Sequence, residues 1–472
     1  MRTIKGVIWS GIERVSVQGV QFIVSVLLAR LLTPSDFGLV AIVLVFSNIF
    51  QTINEAGFNT AIVHKQNRDD LDFSTALVTN ILVGFVSYFI LFILSPIISN
   101  FYNNDSLLIV MRVLPLTLII NGIGLVPVSI YTINVDFKTQ ARASFTASII
   151  SGILGLLCAY FLRNVYAIVV QQIAYSLINT ILMWTYTSHK ISLNFSYDRF
   201  KDLFSYAANL IGARLINVIF DNIYSLAIGK IYSPATLGYY NRAMSFRQML
   251  SRNFINIVQR VSIPLLCENQ NNNAAIRNVL IRFMNMTALF VYPILAGLMI
   301  LAQPLVTVLL GDNWLESSYY LQYICPCGFF YLVSTFNRNV YNAIGRTDLA
   351  FKTEIVKKML FLIVFVITMR YKIEVLLLGL VLISILEMFI DVNVVKKQIQ
   401  ITYYDEFIGL VSILLATVVM SVVVGFSISY ISNDLIKLTV GIPIGILTYV
   451  IICYIFNIAG IRIELKKYAK IK

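Results

Sequence analysis

The chain has 472 residues, of which 58% are hydrophobic and only 12% charged, with a formal net charge of +13. Ordinary soluble domains carry about 25% charged residues, so a soluble enzyme or binding domain is excluded. Apolar runs of about 20 residues, enough to cross the hydrocarbon core of a bilayer, fill nearly the whole length and leave no separate soluble domain.

In chain order, apolar periodicity and turn signals predict fourteen helices. The first six cover 6–32, 37–63, 73–99, 107–133, 142–162 and 165–188. The next six cover 203–230, 236–262, 282–310, 317–343, 350–370 and 374–396, and two more follow at 407–430 and 436–458. The first run carries Glu13 and Arg14 and lacks a small-residue cleavage site, which makes it a retained helix rather than a signal peptide. The expected fold is therefore an all-α polytopic membrane protein. Its organisation is a first lobe over 1–190 (helices 1–6), a cytoplasmic linker over 191–202 and a second lobe over 203–397 (helices 7–12). Helices 13 and 14 and a basic cytoplasmic tail complete it over 398–472.

The two lobes read as a duplication. A-R-L-L-T-P-S-D-F-G-L-V at 29–40 returns as G-K-I-Y-S-P-A-T-L-G-Y-Y at 229–240, with Pro34 and Gly38 matched by Pro234 and Gly238. Arg14/Arg214, Ser25/Ser225 and Phe46/Phe246 keep the same offset of 200. In both copies Ser or Thr before Pro predicts a capped helix start. Phe137-Lys138-Thr139 is echoed by Phe351-Lys352-Thr353 at an offset of 214, which places about 14 extra residues in the second copy. Six helices per repeat make both copies point the same way through the membrane, the arrangement of parallel-repeat transporters.

With the N-terminus inside, 23 basic residues, Lys357 and Lys358 among them, fall on the cytoplasmic side and 6 outside. This positive-inside bias puts both termini in the cytoplasm. Seven arginines remain in or at the edge of helices: Arg14, Arg112, Arg214, Arg242, Arg247, Arg252 and Arg338. Each costs about 2.5–3.5 kcal/mol near a helix centre on insertion scales, so several must face water or a partner. Arg14, Gln18, Gln21 and Ser25 form one stripe on predicted helix 1, and Asn48, Thr52, Glu55 and Asn59 form another on helix 2. Helix 7 carries Arg214, Asp221 and Ser225 on one face; helix 8 carries Arg242, Ser245, Met249, Arg252, Asn256 and Gln259 on a broad one, with Arg247 nearly opposite. These helices are equivalent pairs in the repeat, and their polar faces predict a shared, net-positive central cavity. Arg112 and Arg338 lie toward helix ends, where snorkelling to headgroups is an equal reading. Asp221 could equally neutralise Arg214 or couple to an ion.

No nucleophile–base pair, metal constellation or Walker-type phosphate loop is present, so neither an enzyme nor direct use of ATP is expected. The five cysteines read as packing residues, and Cys325-Pro326-Cys327 lacks the redox spacing. No metal, cofactor or nucleic-acid partner is expected.

The run ARLLTPSDFGLVAIV followed by EAGFNTAIVHKQ resembles the Wzx-type lipid-linked oligosaccharide flippases of the multidrug/oligosaccharidyl-lipid/polysaccharide exporter superfamily. GKIYSPATLGYYNRA and NAIGRTDLAFKTE are similar to loops of that family's second lobe. The resemblance implies two six-helix lobes in a V around a central cavity. It implies translocation of oligosaccharide on undecaprenyl diphosphate across the bacterial inner membrane by alternating access, for O-antigen, capsule or exopolysaccharide. On that reading Arg14, Arg214, Arg242 and Arg252 hold the diphosphate, since a guanidinium fork matches phosphate oxygens. Gln18, Gln21, Asn48 and Asn256 suit sugar hydroxyls. Glu55 or Asp221 couples to H+ or Na+, or balances charge. Membrane lipids and the polysaccharide polymerase machinery are the other partners considered. A multidrug exporter of the same superfamily is the first rival, disfavoured by the arginines; a membrane polymerase or ligase is the second, disfavoured by short outer loops.

Overall fold

A computed structural model describes residues 2–55, 59–187 and 192–458; of residues 2–15 and of 206, 209 and 213 it describes the backbone alone. All the regular structure among the described residues is helical, and the chain divides into two compact units, Met1–Gly238 and Tyr239–Lys472.

The first unit contains α1 (Arg2–Leu31), α2 (Pro34–Asn54), α3 (Thr60–His64), α4 (Asp70–Tyr102), α5 (Ser106–Val113), α6 (Leu116–Ile133), α7 (Phe137–Leu162), α8 (Tyr166–Tyr186) and α9 (Tyr197–Ile231). Its spine is α7, which packs against both α1 and α8. Ala143, Ala147, Ser148, Ser151 and Ala159 make the buried face of α7 small, and small faces let membrane helices approach closely. Alongside, α4 and α9 run in parallel. Arg199 bonds Asp69 at 2.9 Å at one end, and the Tyr102 hydroxyl donates to the Leu226 carbonyl at 3.2 Å near the other.

The duplicated motif meets its own copy. α10 (Pro234–Leu250) starts at the end of this unit, and its first turn lies against the first turn of α2. A Cβ on Gly38 would stand 1.7 Å from the Pro234 carbonyl oxygen, and one on Gly238 would stand 2.0 Å from the Pro34 oxygen. Only glycine permits this reciprocal backbone contact. The predicted caps are present: Thr33 and Asp36 form a reciprocal capping box, and the Ser233 hydroxyl accepts from the Thr236 N–H at 3.0 Å.

The second unit continues with α11 (Arg252–Glu268), α12 (Asn273–Ile300), α13 (Ala302–Leu310), a 3-10 turn at Asp312–Trp314, α14 (Leu315–Ile324) and α15 (Pro326–Ala343). Then come α16 (Thr347–Thr368), α17 (Ile373–Ile399), α18 (Tyr403–Ser429) and α19 (Asp434–Ile455). α15 packs on α17 and α12, and α18 packs on α12 and α19.

Several predicted helices are broken. Predicted helix 4 splits into α5 and α6 at Leu114–Pro115, and helix 10 into α14 and α15 at Cys325–Pro326, where proline removes a backbone donor and crowds the preceding turn. Helix 8 splits at Ser251 and helix 9 at Leu301. Predicted helix 9 also starts nine residues early, at Asn273, because the Asn272 side chain caps the Ala275 N–H at 3.1 Å; the Asn-rich stretch reads as loop from composition alone.

Ten helices among the described residues are long and apolar enough to cross a membrane. Predicted helices 1, 8, 10 and 11 fall outside that set: the first is represented only by Ser16–Leu31, breaks shorten helices 8 and 10, and Arg242, Arg247 and Arg252, Arg338, and Lys352, Glu354, Lys357 and Lys358 lower the hydropathy of the last three.

The second repeat anchor is also visible as geometry. After α6 the Asp136 N–H bonds the Tyr131 carbonyl at 2.9 Å and the Val135 N–H bonds Thr132 at 3.2 Å. After α15 the Arg346 N–H bonds Tyr341 at 3.0 Å and the Gly345 N–H bonds Asn342 at 3.2 Å. Both are the same left-handed helix terminator, with φ +56° at Val135 and +76° at Gly345. Equivalent helices α7 and α16 start at Phe137 and Thr347, an offset of 210. The Phe-Lys-Thr echo at 214 therefore sits one turn further into α16 and keeps the same helix face.

Candidate functional site

The residues expected to line a cavity divide between the two units. In the first, Gln18 and Gln21 of α1 are half-buried, and Asn48 of α2, Arg214 and Asp221 of α9 are exposed. α2 packs on α9, with Ile42 against Gly229. Glu55, at the end of α2, is exposed and accepts from the Gln51 amide at 2.9 Å. Arg14 belongs to α1, but its side chain lies outside the described residues. Exposed arginine and aspartate on a helix such as α9 are costly against lipid.

In the second unit Arg252 is exposed and Asn256 half-buried on α11. Arg242 is 7% exposed, with its guanidinium 5.4 Å from the centre of the Trp314 ring. Trp314 itself is fully buried and meets Tyr239 edge-on. Arg242 therefore has a packing role in this geometry, as a cation over an aromatic face, whereas Arg252 presents its charge outward. Arg112 packs over Phe92 and its Nε donates to the Ser95 hydroxyl at 3.2 Å. Arg338 lies 3.9 Å from Glu354. Among the described residues no group of His, Cys, Asp or Glu could hold a metal ion, and all five cysteines are free.

A polar cluster inside the second unit was not apparent from spacing. Asp391 of α17 is fully buried and accepts three bonds. The Lys357 ammonium of α16 approaches both carboxylate oxygens at 2.5 Å. The Ser334 and Tyr341 hydroxyls of α15 donate at 2.5 and 2.8 Å. Lys357, read from the sequence as one of the cytoplasmic basic residues, is 3% exposed and paired inside the unit. Its turn signals were those of a loop edge, because Lys357-Lys358 follows Lys352 and Glu354, and only the partner on α17 identifies which lysine turns inward. One turn back on α15, Asn337 bonds the buried Glu406 of α18 at 2.6 Å.

In the first unit, the ion pairs of Lys65 and Arg199 lie instead at helix ends. Asp72, fully buried, receives the Lys65 ammonium at 2.6 Å, and Arg199 reaches it at 3.7 Å. Asp69, the N-cap of α4, accepts from the Asp72 N–H at 2.9 Å, and that backbone bond, aided by Arg199 and Lys65, holds its carboxyl below the ordinary range.

Residues 27–319 match the model of a family described as polysaccharide biosynthesis protein. The chain is 25% identical over 348 residues to the teichuronic acid biosynthesis protein TuaB of Bacillus subtilis (strain 168), covering 73% of this chain and 72% of that one. It is 24% identical over 419 residues to the lipopolysaccharide biosynthesis protein WzxC of Escherichia coli (strain K12), covering 86% and 83%. Among solved structures, the lipid II flippase MurJ in an inward closed conformation superposes with a TM-score of 0.73 at 18% identity, over 96% of this chain and 98% of that one. An inward-facing multidrug resistance MATE family transporter superposes at 0.63 with 13% identity, over 81% and 94%. Those likenesses establish a polytopic membrane fold, and the sequence match establishes the family: the chain belongs to the polysaccharide biosynthesis proteins.

Proposed function

We propose that this protein is a flippase that carries lipid-linked oligosaccharide units across the bacterial inner membrane for surface polysaccharide assembly. The observation that carries the reading is the match to polysaccharide biosynthesis proteins, which extends over 86% of this chain in the case of WzxC. The cargo is an oligosaccharide on undecaprenyl diphosphate, and the protein acts as a transporter rather than an enzyme. Two six-helix lobes, 1–190 and 203–397, alternate access to a central cavity, with α18 and α19 appended and both termini cytoplasmic. Arg214 and Arg252, exposed on apolar-flanked helices, together with Arg14, bind the diphosphate. Arg242 supports them from its packed position beneath Trp314. Gln18, Gln21, Asn48 and Asn256 meet sugar hydroxyls, and Glu55 or Asp221 couples transport to H+ or Na+ or balances the arginines. The polymerase machinery is the expected recipient of the product.

The test is leaflet-resolved labelling of undecaprenyl-diphosphate-linked glycan in cells lacking or expressing the protein. Glycan accumulating on the cytoplasmic side without the protein, and relieved by expression, is the expected result. Arg214→Ala with Arg252→Ala should slow translocation about tenfold or more, the loss of charge-assisted hydrogen bonds to phosphate. Unchanged leaflet distribution in a strain with no compensating flippase refutes the reading.

A further inference from the structure

The pair formed by Asn337 of α15 and Glu406 of α18 has a specific imbalance. Both side chains are fully buried. Both amide protons of Asn337 are spent, one on the Val333 carbonyl at 3.0 Å and one on Glu406 Oε1 at 2.6 Å. The second oxygen of each group, Asn337 Oδ1 and Glu406 Oε2, is buried with no hydrogen-bond partner among the described residues. Each orphan is an acceptor if the carboxyl is ionised. Turning the amide over would set its oxygen against Val333 O and Glu406 Oε1, crowding three acceptors, so the amide orientation is settled by chemistry.

Neighbouring charges do not relieve the imbalance. Arg277 of α12 pairs with Asp405, next to Glu406, and Lys396 of α17 stacks on Tyr403. Arg338 of α15 faces Glu354, Lys357 of α16 holds Asp391, and Lys437 of α19 bonds Asp434. Arg282 of α12 is exposed. Among the described residues an ionised Glu406 would thus be a carboxylate without a cation at zero exposure, an arrangement proteins avoid by neutralising the group.

We propose that Glu406 and Asn337 form a proton-binding site. One proton on Glu406 Oε2 converts an orphan acceptor into a donor, and Asn337 Oδ1 is the acceptor it lacks. The two groups then close a carboxylic acid–amide ring, Asn337 Nδ2–H to Oε1 and Oε2–H to Oδ1, with both orphans satisfied by a single proton. The site latches α18, the first of the two helices beyond the repeats, onto the polar side of α15. Loss of the proton leaves a buried charge and breaks the ring, so occupancy of the site governs how α18 seats on this unit. The inference is independent of the cargo and stands or falls apart from the proposed transport.

The test is infrared spectroscopy of the full-length protein in lipid nanodiscs at neutral pH. The expected spectrum contains the carbonyl stretch of a hydrogen-bonded carboxylic acid, shifted in D2O and absent in Glu406→Gln. Glutamine reproduces the acid's hydrogen-bond pattern, so Glu406→Gln should also unfold at the wild-type temperature. Asn337→Leu supplies an independent assignment by moving the acid band to the frequency of an unbonded carbonyl, which identifies it even if Glu406→Gln does not fold. An acid region identical in wild type and Glu406→Gln, or no band that responds to Asn337→Leu, overturns the proposal.

Discussion

Tyr131 and Tyr341 end equivalent helices with the same left-handed turn, yet they reach into different surroundings. The Tyr131 hydroxyl donates to the Met183 carbonyl at 3.1 Å, and Tyr131, Ala143 and Met183 form one buried apolar cluster. The Tyr341 hydroxyl donates to the Asp391 carboxylate, with Lys357 as its counter-ion. Lys357 lies ten residues into α16, where α7 carries the fully buried Ala147, so a small apolar residue in one repeat stands where the lysine of an ion pair stands in the other. In the first unit the junction of α6, α7 and α8 closes around an apolar cluster. Replacing a buried ion pair by well-packed apolar groups is often neutral or stabilising, so packing alone does not explain Lys357 and Asp391, and a role in transport is the reading the contrast favours.

The largest expected effect breaks the pair on one side only. Asp391→Ala leaves Lys357 buried without its counter-ion and strands the Ser334 hydroxyl, and should destabilise the protein by about 3–5 kcal/mol. The double substitution Lys357→Ala with Asp391→Met, which replaces both charges by apolar groups, should recover most of that loss while glycan export falls. Thermal unfolding in detergent beside an export assay reads both; a double variant as unstable as the single one would mean that the junctions are not equivalent.

Next in size is the contact between the repeats of the Pro–Gly motif. Gly38→Ala and Gly238→Ala each drive a methyl group into a backbone carbonyl and should each cost about 1–3 kcal/mol, the usual range for overpacking. Similar losses in unfolding temperature are expected, and one silent variant would end the symmetry. Smaller again is the turn: Val135 holds φ +56° where its counterpart is Gly345. Val135→Gly should stabilise by about 1 kcal/mol, the cost of the left-handed region for a residue with a Cβ, and Gly345→Val should destabilise.

The smallest effect is in acid. Hydrogen bonds from Arg346 hold the Asp348 carboxyl at about 2 against an ordinary 3.8. A depressed carboxyl stabilises the fold above its unfolded value and loses that contribution as the pH drops through its folded one. Asp348→Asn should therefore flatten the acid limb of stability between about pH 4 and 2, with a change limited by full solvent exposure. An acid limb identical to wild type would remove Asp348 from the account.

Much of the fold was legible because its signals are local. Thr33-Pro34 and Ser233-Pro234 cap helices whatever surrounds them, and the periodic apolar runs had to be helices, since in lipid every backbone group must be bonded within its own segment. The breaks at Pro115 and Pro326 were legible in retrospect, as proline chemistry; those at Ser251 and Leu301 carry no comparable mark in the sequence. The candidate site was less accessible. Spacing identified Arg214 on predicted helix 7 and Arg252 on the broad polar face of predicted helix 8, and both are exposed, but it could not separate them from Arg242, which packs against Trp314, 72 residues further along the chain.

By itself, then, the sequence determined that the chain is helical and built for a membrane, because composition, capping and helical period act over one or two turns. Tertiary structure alone decided which charges turn inward. Lys357 finds Asp391 across 34 residues, Glu406 finds Asn337 across 69, and Gly38 meets Pro234 across nearly 200. A charge in a low-dielectric interior is defined by its partner, and partners that distant are brought together only by folding.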